Sequence, residues 1–227
     1  MLHDFLHHWL GVWLGWVESS GYLGVIVLMA MESSIFPVPS EIVIPPAAIA
    51  ASAGGSMTLT GVVLAGTFGS WLGSAITYLF ARWLGRAVIA RWGKYFFLPP
   101  EKLERGERFM ARYESGGIFF ARLLPVIRHL ISIPAGIVRM NFLKFSVLTV
   151  IGSAIWCGVL AWLGNKIGQN SPGLMQITDH RAKAEALIAA IKPETQPIIF
   201  TVLAVCALYA VAMKLTAPKT WVAGDGR

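Results

Sequence analysis

The chain has 227 residues, of which 56% are hydrophobic and 14% are charged, and its formal net charge is +7. Soluble domains contain about 45–50% apolar and about 25% charged residues, so this chain has too little charge to cover a water-facing surface. That excludes most soluble enzymes and binding modules, and the high hydrophobicity excludes a disordered chain. The sequence therefore predicts an integral membrane protein.

The charged side chains are unevenly distributed along the chain. Residues 19–81 contain only two, Glu32 and Glu41. Residues 115–165 contain four, all of them basic: Arg122, Arg128, Arg139 and Lys144. The basic residues flank apolar segments and form no aromatic-studded stripe, which argues against nucleic acid as a partner. An excess of Lys and Arg in cytoplasmic loops explains the positive charge better.

Residues 1–20 are predicted to form an N-terminal helix that lies in the membrane interface. Trp9, Trp13 and Trp16 recur at i, i+4 and i+7, which places them on one helix face. An aromatic face of this kind is typical of helices at the membrane surface. The segment has no basic n-region, so we do not expect a secretory signal. A second amphipathic interfacial helix is predicted at 99–114.

An apolar helix is predicted at 21–36, somewhat shorter than the ~20 residues that span a bilayer. The next segment, 36–55, contains four prolines that we expect to shape a hairpin: Pro37, Pro39, Pro45 and Pro46. Proline removes a backbone donor and clashes with the preceding turn, so we expect no straight helix through this segment. Residues 40–53 are apolar but too short to cross, which predicts a re-entrant segment buried in the protein.

Residues 57–81 form the first clear transmembrane span, with Gly69 and Gly73 as a close-packing GxxxG face. The pattern then recurs after a basic stretch. Residues 116–136 are again apolar and contain three more residues expected to shape a hairpin: Pro125, Pro134 and Gly136. A clean span follows at about 142–165, so both halves of the chain are predicted to be a hairpin followed by a span.

The two halves are similar in sequence. GSAITYLFARWLG at 73–85 matches GSAIWCGVLAWLG at 152–164 at seven of thirteen positions, and the same offset of 79 aligns Pro46 with Pro125. A chance match between Gly-, Ala- and Leu-rich helices is the alternative. We expect an all-α polytopic membrane protein with a repeat of re-entrant hairpin plus transmembrane helix. The expected boundaries are a membrane domain at 21–195, containing repeats at about 21–85 and 99–168, and a C-terminal transmembrane helix with a cytoplasmic tail at 196–227.

The positive-inside rule predicts the orientation of these segments. Residues 82–112 carry eight Arg or Lys against three Glu, so this loop is expected in the cytoplasm. The spans on either side then run in opposite directions, the repeats are inverted, and both chain termini are cytoplasmic. Inverted repeats with broken helices that meet near the midplane are typical of transporters.

Four charged residues interrupt the apolar segments: Glu32, Glu41, Arg122 and Arg128. A charge at mid-bilayer costs roughly 2.5–3.5 kcal/mol, so these side chains are expected to face one another, a ligand or water. Guanidinium groups present paired donors that suit phosphate, which makes the arginines candidate anion ligands. The glutamates are candidate proton or cation sites. Structural ion pairs are the alternative for all four.

His129 is a candidate proton relay beside the second arginine, with a hydrogen-bonded structural histidine as the alternative. No cofactor or metal site is predicted. Cys157 and Cys206 lie in apolar runs, and the sequence shows no metal-ligand spacing.

These residues also carry a resemblance. The string ESSIFPVPSE at 32–41, the string RLLPVIR at 122–128, and the following PAG at 134–136 with Met140 resemble the DedA family. The similarity covers about residues 20–168. Members are bacterial inner-membrane proteins related to the eukaryotic VTT-domain lipid scramblases.

The resemblance implies transport of undecaprenyl phosphate, the carrier lipid of wall synthesis, with dependence on the proton-motive force. It also implies that Glu32 and Glu41 are the essential acid pair and that Arg122 and Arg128 are the essential arginine pair. Many members carry Pro-Gly-Asp where this chain has Pro-Ser-Glu at 39–41. That departure leaves the coupling ion open between H⁺ and Na⁺.

Other functions fit parts of the pattern. An energy-independent phospholipid scramblase, for example for phosphatidylethanolamine, would use the same charges without a gradient. A cation/proton antiporter would use the two glutamates, but paired arginines repel cations. A lipid phosphatase needs a nucleophile or base at the phosphate, and His129 is the only mid-chain histidine. An interaction scaffold would need none of the four charges. The sequence does not determine the oligomeric state.

Overall fold

A computed structural model of the chain describes residues 12–34 without 14 and 18, 40–54 without 53, 57–92, 122, 127–171 and scattered positions between 173 and 204. All regular secondary structure in these ranges is helical. The helices are α1 (Tyr22–Glu32), α2 (Ser40–Ser52), α3 (Leu59–Trp92), α4 (Ile127–Leu130), α5 (Ser132–Ile137) and α6 (Phe142–Asn170).

Two of these helices are long and apolar enough to cross a membrane. They are the Leu59–Gly85 part of α3, with 27 residues, and α6, with 29 residues. At about 1.5 Å per residue, each exceeds the ~30 Å thickness of the hydrocarbon core. Regular helical geometry in α3 is interrupted at Gly85, where φ is 72° and ψ is 172°. Both predicted central spans therefore exist as helices of spanning length.

The two other apolar helices are too short to span. α1 has 11 residues and α2 has 13. α1 packs along α3, and α2 packs along α6, which also contacts α3. The apolar core lies where these four helices meet, and its largest buried side chains include Leu28, Met29, Ile44, Trp156 and Leu160. The re-entrant path of α2 and the inverted relation of the repeats stay predictions.

Glycines allow these helices to approach one another closely. A Cβ at Gly73 would lie 2.1 Å from the carbonyl oxygen of Ala30, and one at Gly69 would lie 2.4 Å from that of Ile26. The predicted GxxxG face is thus confirmed as the contact between α3 and α1. On the other side of the core, a Cβ at Gly164 would lie 2.5 Å from the Pro45 carbonyl oxygen. Both contacts bring helix backbones to a separation that only glycine permits.

The expectation that Pro45 and Pro46 interrupt the helix was wrong, because α2 continues through both of them. Each proline removes one backbone donor, and the close packing of α6 against α2 compensates, as neighbouring helices do for proline in membrane helices. Pro134 lies in the first turn of α5, where a backbone N–H has no helical partner in any case. Pro37, Pro39 and Pro125 lie outside the described residues.

The start of α6 is fixed by a local capping interaction. The side chain of Asn141 accepts hydrogen bonds from the backbone N–H groups of Leu143 at 2.9 Å and Lys144 at 3.1 Å. Asparagine is among the preferred N-cap residues for this reason. The Lys144 side chain is exposed.

Several predicted segments fall largely outside the described residues. The N-terminal helix is helical at the described positions between 12 and 20, and residues 1–11 are not described. The amphipathic helix at 99–114 is not described. Of the C-terminal segment, positions 196, 197, 200, 201 and 204 are described as helical.

We predict that Gly73→Ala destabilises the protein by about 1–3 kcal/mol, because the new methyl group meets the backbone of α1 and forces the helices apart. The matched control is Gly158→Ala in α6, where nothing lies within 4 Å of the added Cβ. Thermal unfolding in detergent, followed by size-exclusion chromatography, measures both. Equal melting temperatures for the two variants would show that the α1–α3 contact does not require glycine.

Candidate functional site

Two arginines lie in the interior of the described structure. Arg122 is 3% exposed and Arg128, in α4, is 8% exposed. Burying a guanidinium among apolar helices is unfavourable unless its donors and charge are compensated. The two arginines are compensated in different ways, and this difference defines the site.

Arg128 is neutralised by a carboxylate. It forms an ion pair with Glu32, which is 1% exposed at the end of α1. Nη2 of Arg128 also donates to Oγ of Ser40 at 2.5 Å, and the backbone N–H of Ser40 donates to Oε1 of Glu32 at 2.8 Å. The indole N–H of Trp156 donates to the same Ser40 oxygen at 3.1 Å. We call Glu32, Ser40, Arg128 and Trp156 the ion-pair cluster.

Trp156 contributes more than this hydrogen bond. The Arg128 guanidinium carbon lies 5.4 Å from the centroid of the Trp156 ring, within the range of a cation–π interaction. One aromatic side chain on α6 therefore contacts both the first residue of α2 and the arginine of α4. The cluster joins α1, α2, α4 and α6 at a single buried point.

Arg122 is compensated by neutral groups. Nη1 donates to Oγ of Ser74 at 2.6 Å, and Nη2 donates to Oγ of Ser132 at 2.9 Å. The guanidinium lies over the ring of Phe145, 5.4 Å from its centroid. Within the described ranges, no carboxylate contacts Arg122, and its Nε has no hydrogen-bond partner. Hydroxyl groups satisfy its donors without cancelling its charge, so this arginine retains the capacity to attract an anion.

A row of serines connects the surroundings of the two arginines. The Ser33 and Ser70 hydroxyls are 2.9 Å apart, and those of Ser70 and Ser153 are 3.0 Å apart. Ser70 lies one turn before Ser74 on α3, and Ser33 follows Glu32. The row links the end of α1 with α3 and α6, so buried hydroxyl groups, together with Ser74, form a polar strip within the apolar core.

Sequence reasoning singled out both arginines and missed their neutral partners. Serine is common in membrane helices, so the presence of a serine does not by itself indicate a hydrogen-bond partner of arginine. One signal was present: Ser74 and Ser153 occupy equivalent positions at the repeat offset of 79. Both belong to the buried polar strip.

The structure does not bring all predicted site residues together. Glu41 lies half-buried in the first turn of α2, where the helix dipole favours a negative charge. Its side chain has no hydrogen bond or ion pair to another described residue, so the expected contact with an arginine is found for Glu32 alone. Position 129 is helical, but the His129 side chain lies outside the description, and its relay role stays a prediction.

Buried polar atoms without partners mark the same region. Within the described ranges, they include Oε2 of Glu32, Nε of Arg122 and Oγ1 of Thr149. Buried polar atoms are usually hydrogen-bonded, so atoms of this kind indicate a place where water, a proton or a ligand interacts. The described residues contain no group of three or more His, Cys, Asp or Glu side chains that fits a metal ion.

Helices of spanning length that surround buried arginine and glutamate side chains define a helical membrane protein with a polar site in its interior. The VTT domain family matches residues 38–166, which is more than half of the chain. The chain belongs to this family, the DedA family, as the motifs indicated.

Several curated relatives are similar over most of their length. Undecaprenyl phosphate transporter A of Bacillus subtilis is 33% identical over 204 residues, covering 90% of this chain and 94% of the relative. The Staphylococcus aureus protein of the same name is 32% identical, covering 70% and 80%. An alkaline phosphatase-like protein of Lactococcus lactis is 35% identical, covering 77% and 84%. No solved structure gives a significant match.

We predict that Ser74→Ala lowers the free energy of unfolding by about 1–3 kcal/mol, because one buried donor of Arg122 loses its acceptor. Ser19→Ala is the matched control, since the Ser19 hydroxyl is exposed and, among the described residues, bonds only to the backbone one turn earlier. Thermal unfolding in detergent compares the variants. A Ser74→Ala protein as stable as the control would mean that another acceptor replaces the serine.

Proposed function

We propose that this protein is a flippase that moves a lipid phosphate across the bacterial inner membrane for reuse in cell-envelope synthesis. The substrate we propose is undecaprenyl phosphate. The observation that carries the proposal is the state of Arg122, a buried guanidinium whose described partners are neutral hydroxyls. A phosphate supplies the missing negative charge and accepts the paired donors of the guanidinium. Relatives that are similar over most of the chain are named undecaprenyl phosphate transporter A.

The polyprenyl tail has a separate path in this proposal. The outer faces of α3 and α6 expose large apolar side chains, including Leu64, Phe68, Ile76, Leu143 and Ile155. Such faces are compatible with lipid chains, so the tail stays in the bilayer while the phosphate enters the polar strip. Only the charged headgroup then needs a protein environment, which removes the largest part of the barrier to crossing.

Coupling to the proton-motive force is assigned to Glu32 and Glu41. Glu32 binds Arg128 in its charged form, and a proton on this carboxylate weakens that ion pair. Glu41 lies nearby on α2 and interacts electrostatically with Glu32. The same carboxylates are able to bind Na⁺, which makes it the alternative coupling ion. We place the protein in the inner membrane as a multi-pass protein with both termini cytoplasmic.

The central test is transport in liposomes with labelled undecaprenyl phosphate and an imposed pH gradient. Arg122→Ala is expected to reduce transport by at least about 100-fold, because a buried charge-assisted phosphate contact contributes several kcal/mol. Glu41→Gln is expected to remove the gradient dependence. Lys144→Ala, which removes an exposed positive charge outside the site, serves as the control. Unchanged transport in both Arg122→Ala and Glu41→Gln would overturn the proposal.

The Arg122→Lys variant tests whether charge alone is sufficient. An ammonium group is compact and lacks the planar fork that contacts Ser74 and Ser132 on two sides. We expect transport to fall by at least about tenfold while the protein remains folded, since the positive charge is kept. The measurement is the initial transport rate at equal reconstituted protein. Full activity would show that only the charge at 122 matters.

An enzymatic alternative follows from one group of relatives, which are named alkaline phosphatase-like proteins. The assay that separates it from transport is the release of inorganic phosphate from undecaprenyl pyrophosphate by the purified protein. Stoichiometric release at a rate comparable with transport would favour the phosphatase. Transport whose rate depends neither on the pH gradient nor on the identity of the lipid headgroup would favour an energy-independent scramblase instead.

A further inference from the structure

The ion-pair cluster has the composition of an anion-binding site. Two donors converge on the Glu32 carboxylate, Nη2 of Arg128 and the backbone N–H of Ser40, and the Ser40 hydroxyl lies beside them. The backbone donor belongs to the first residue of α2, a 13-residue helix whose N-terminus favours negative charge. One oxygen of Glu32 accepts from both the arginine and the backbone N–H.

The Ser40 hydroxyl is arranged to donate. Its oxygen accepts hydrogen bonds from Arg128 and from the indole of Trp156, which occupy its two lone pairs. Its own proton is therefore available to a further acceptor. The Trp156 N–H donates to Ser40 and not to the carboxylate. Trp156 positions the serine and the arginine from α6, by its N–H and by its ring.

We propose that the Glu32 carboxylate is an internal anion that occupies a phosphate seat formed by Arg128 and Ser40, and that the lipid phosphate displaces it during transport. This inference rests on the proposed function, because it assigns the second half of the headgroup site. It makes Ser40 part of that site, makes Trp156 a positioning residue, and makes Glu32 a competitor of the substrate.

The way that Glu32 occupies the seat supports displacement. Oε2 is buried and has no partner among the described residues, so only half of the carboxylate is held. Arg122 and Arg128 are also close enough for their charges to repel. Glu32 supplies one negative charge for two guanidinium groups, so the repulsion between the arginines is only partly compensated. A phosphate with a charge of about −1.5 to −2 and three acceptor oxygens balances both arginines at once.

The charged and titratable groups around Glu32 come from several elements. Arg128 approaches from α4, Glu41 lies in the first turn of α2, and both interact electrostatically with Glu32. Arg122, and Cys157 on α6, also interact electrostatically with Glu32. Neutralising Glu32, by a proton or by substitution, leaves an arginine seat with no resident anion. Proton uptake and phosphate binding then become linked through one carboxylate.

The test is equilibrium binding of undecaprenyl phosphate to the purified full-length protein in nanodiscs, with undecaprenol as the neutral probe. Glu32→Gln is expected to bind undecaprenyl phosphate at least about fivefold tighter than the unmodified protein, because the competing anion is removed. Its transport rate is expected to fall at least about tenfold, since the seat no longer releases the phosphate. Lys144→Ala, which removes an exposed charge outside the ion-pair cluster, is the control and is expected to change the affinity less than about twofold.

A second variant covers the case in which Glu32→Gln does not fold. Glu32→Asp keeps the charge but shortens the side chain, so its carboxylate is withdrawn from the seat and binding is again expected to tighten. Unchanged or weaker affinity in whichever of the two variants is folded overturns the inference, and so does equal tightening toward undecaprenol. Arg122→Ala in the same assay tests the proposed function separately, because its loss of binding does not depend on Glu32.

Discussion

The ion pair between Glu32 and Arg128 is the contact on which the buried site depends, because it places opposite charges from distant segments side by side in an apolar interior. Either group alone would carry a desolvation penalty of several kcal/mol in such surroundings. The pair also fixes the end of α1 against α4. Ser40 extends this constraint to α2, and Trp156 extends it to α6. Removing the pair would therefore leave two buried charges without a partner. It would also remove the contact that joins the four helices.

The second buried arginine, Arg122, differs from Arg128 in having no carboxylate partner among the described residues. Arg122 is as deeply buried as Arg128, yet its described partners are two serines and the face of Phe145. One guanidinium is neutralised within the protein, and the other is solvated by hydroxyls that leave its charge in place. A transport site must bind its anion and then release it. An internal carboxylate at one arginine and neutral groups at the other provide a physical basis for both steps.

The features that composition and spacing predict are those with short-range causes. Long apolar runs become α3 and α6, and the small residues at Gly69 and Gly73 mark a close helix contact. The prediction failed at Pro45 and Pro46, where local steric rules disfavour a helix that packing against α6 nevertheless stabilises. The sequence also predicted that the buried charges have partners, because isolated charges do not persist in apolar segments.

Composition and motifs are enough to identify a helical membrane protein of the DedA type, with scarce charges concentrated at a few positions. Which of these charges meet depends on the tertiary structure. Glu32 and Arg128 are 96 residues apart in the chain, and Arg122 and Ser74 are 48 apart, so no local pattern relates them. Their contacts depend on how α1, α2 and α3 pack around α6. That packing is set by side-chain volume and close backbone approach across the whole core, and it selected Glu32 rather than Glu41 as the partner of Arg128.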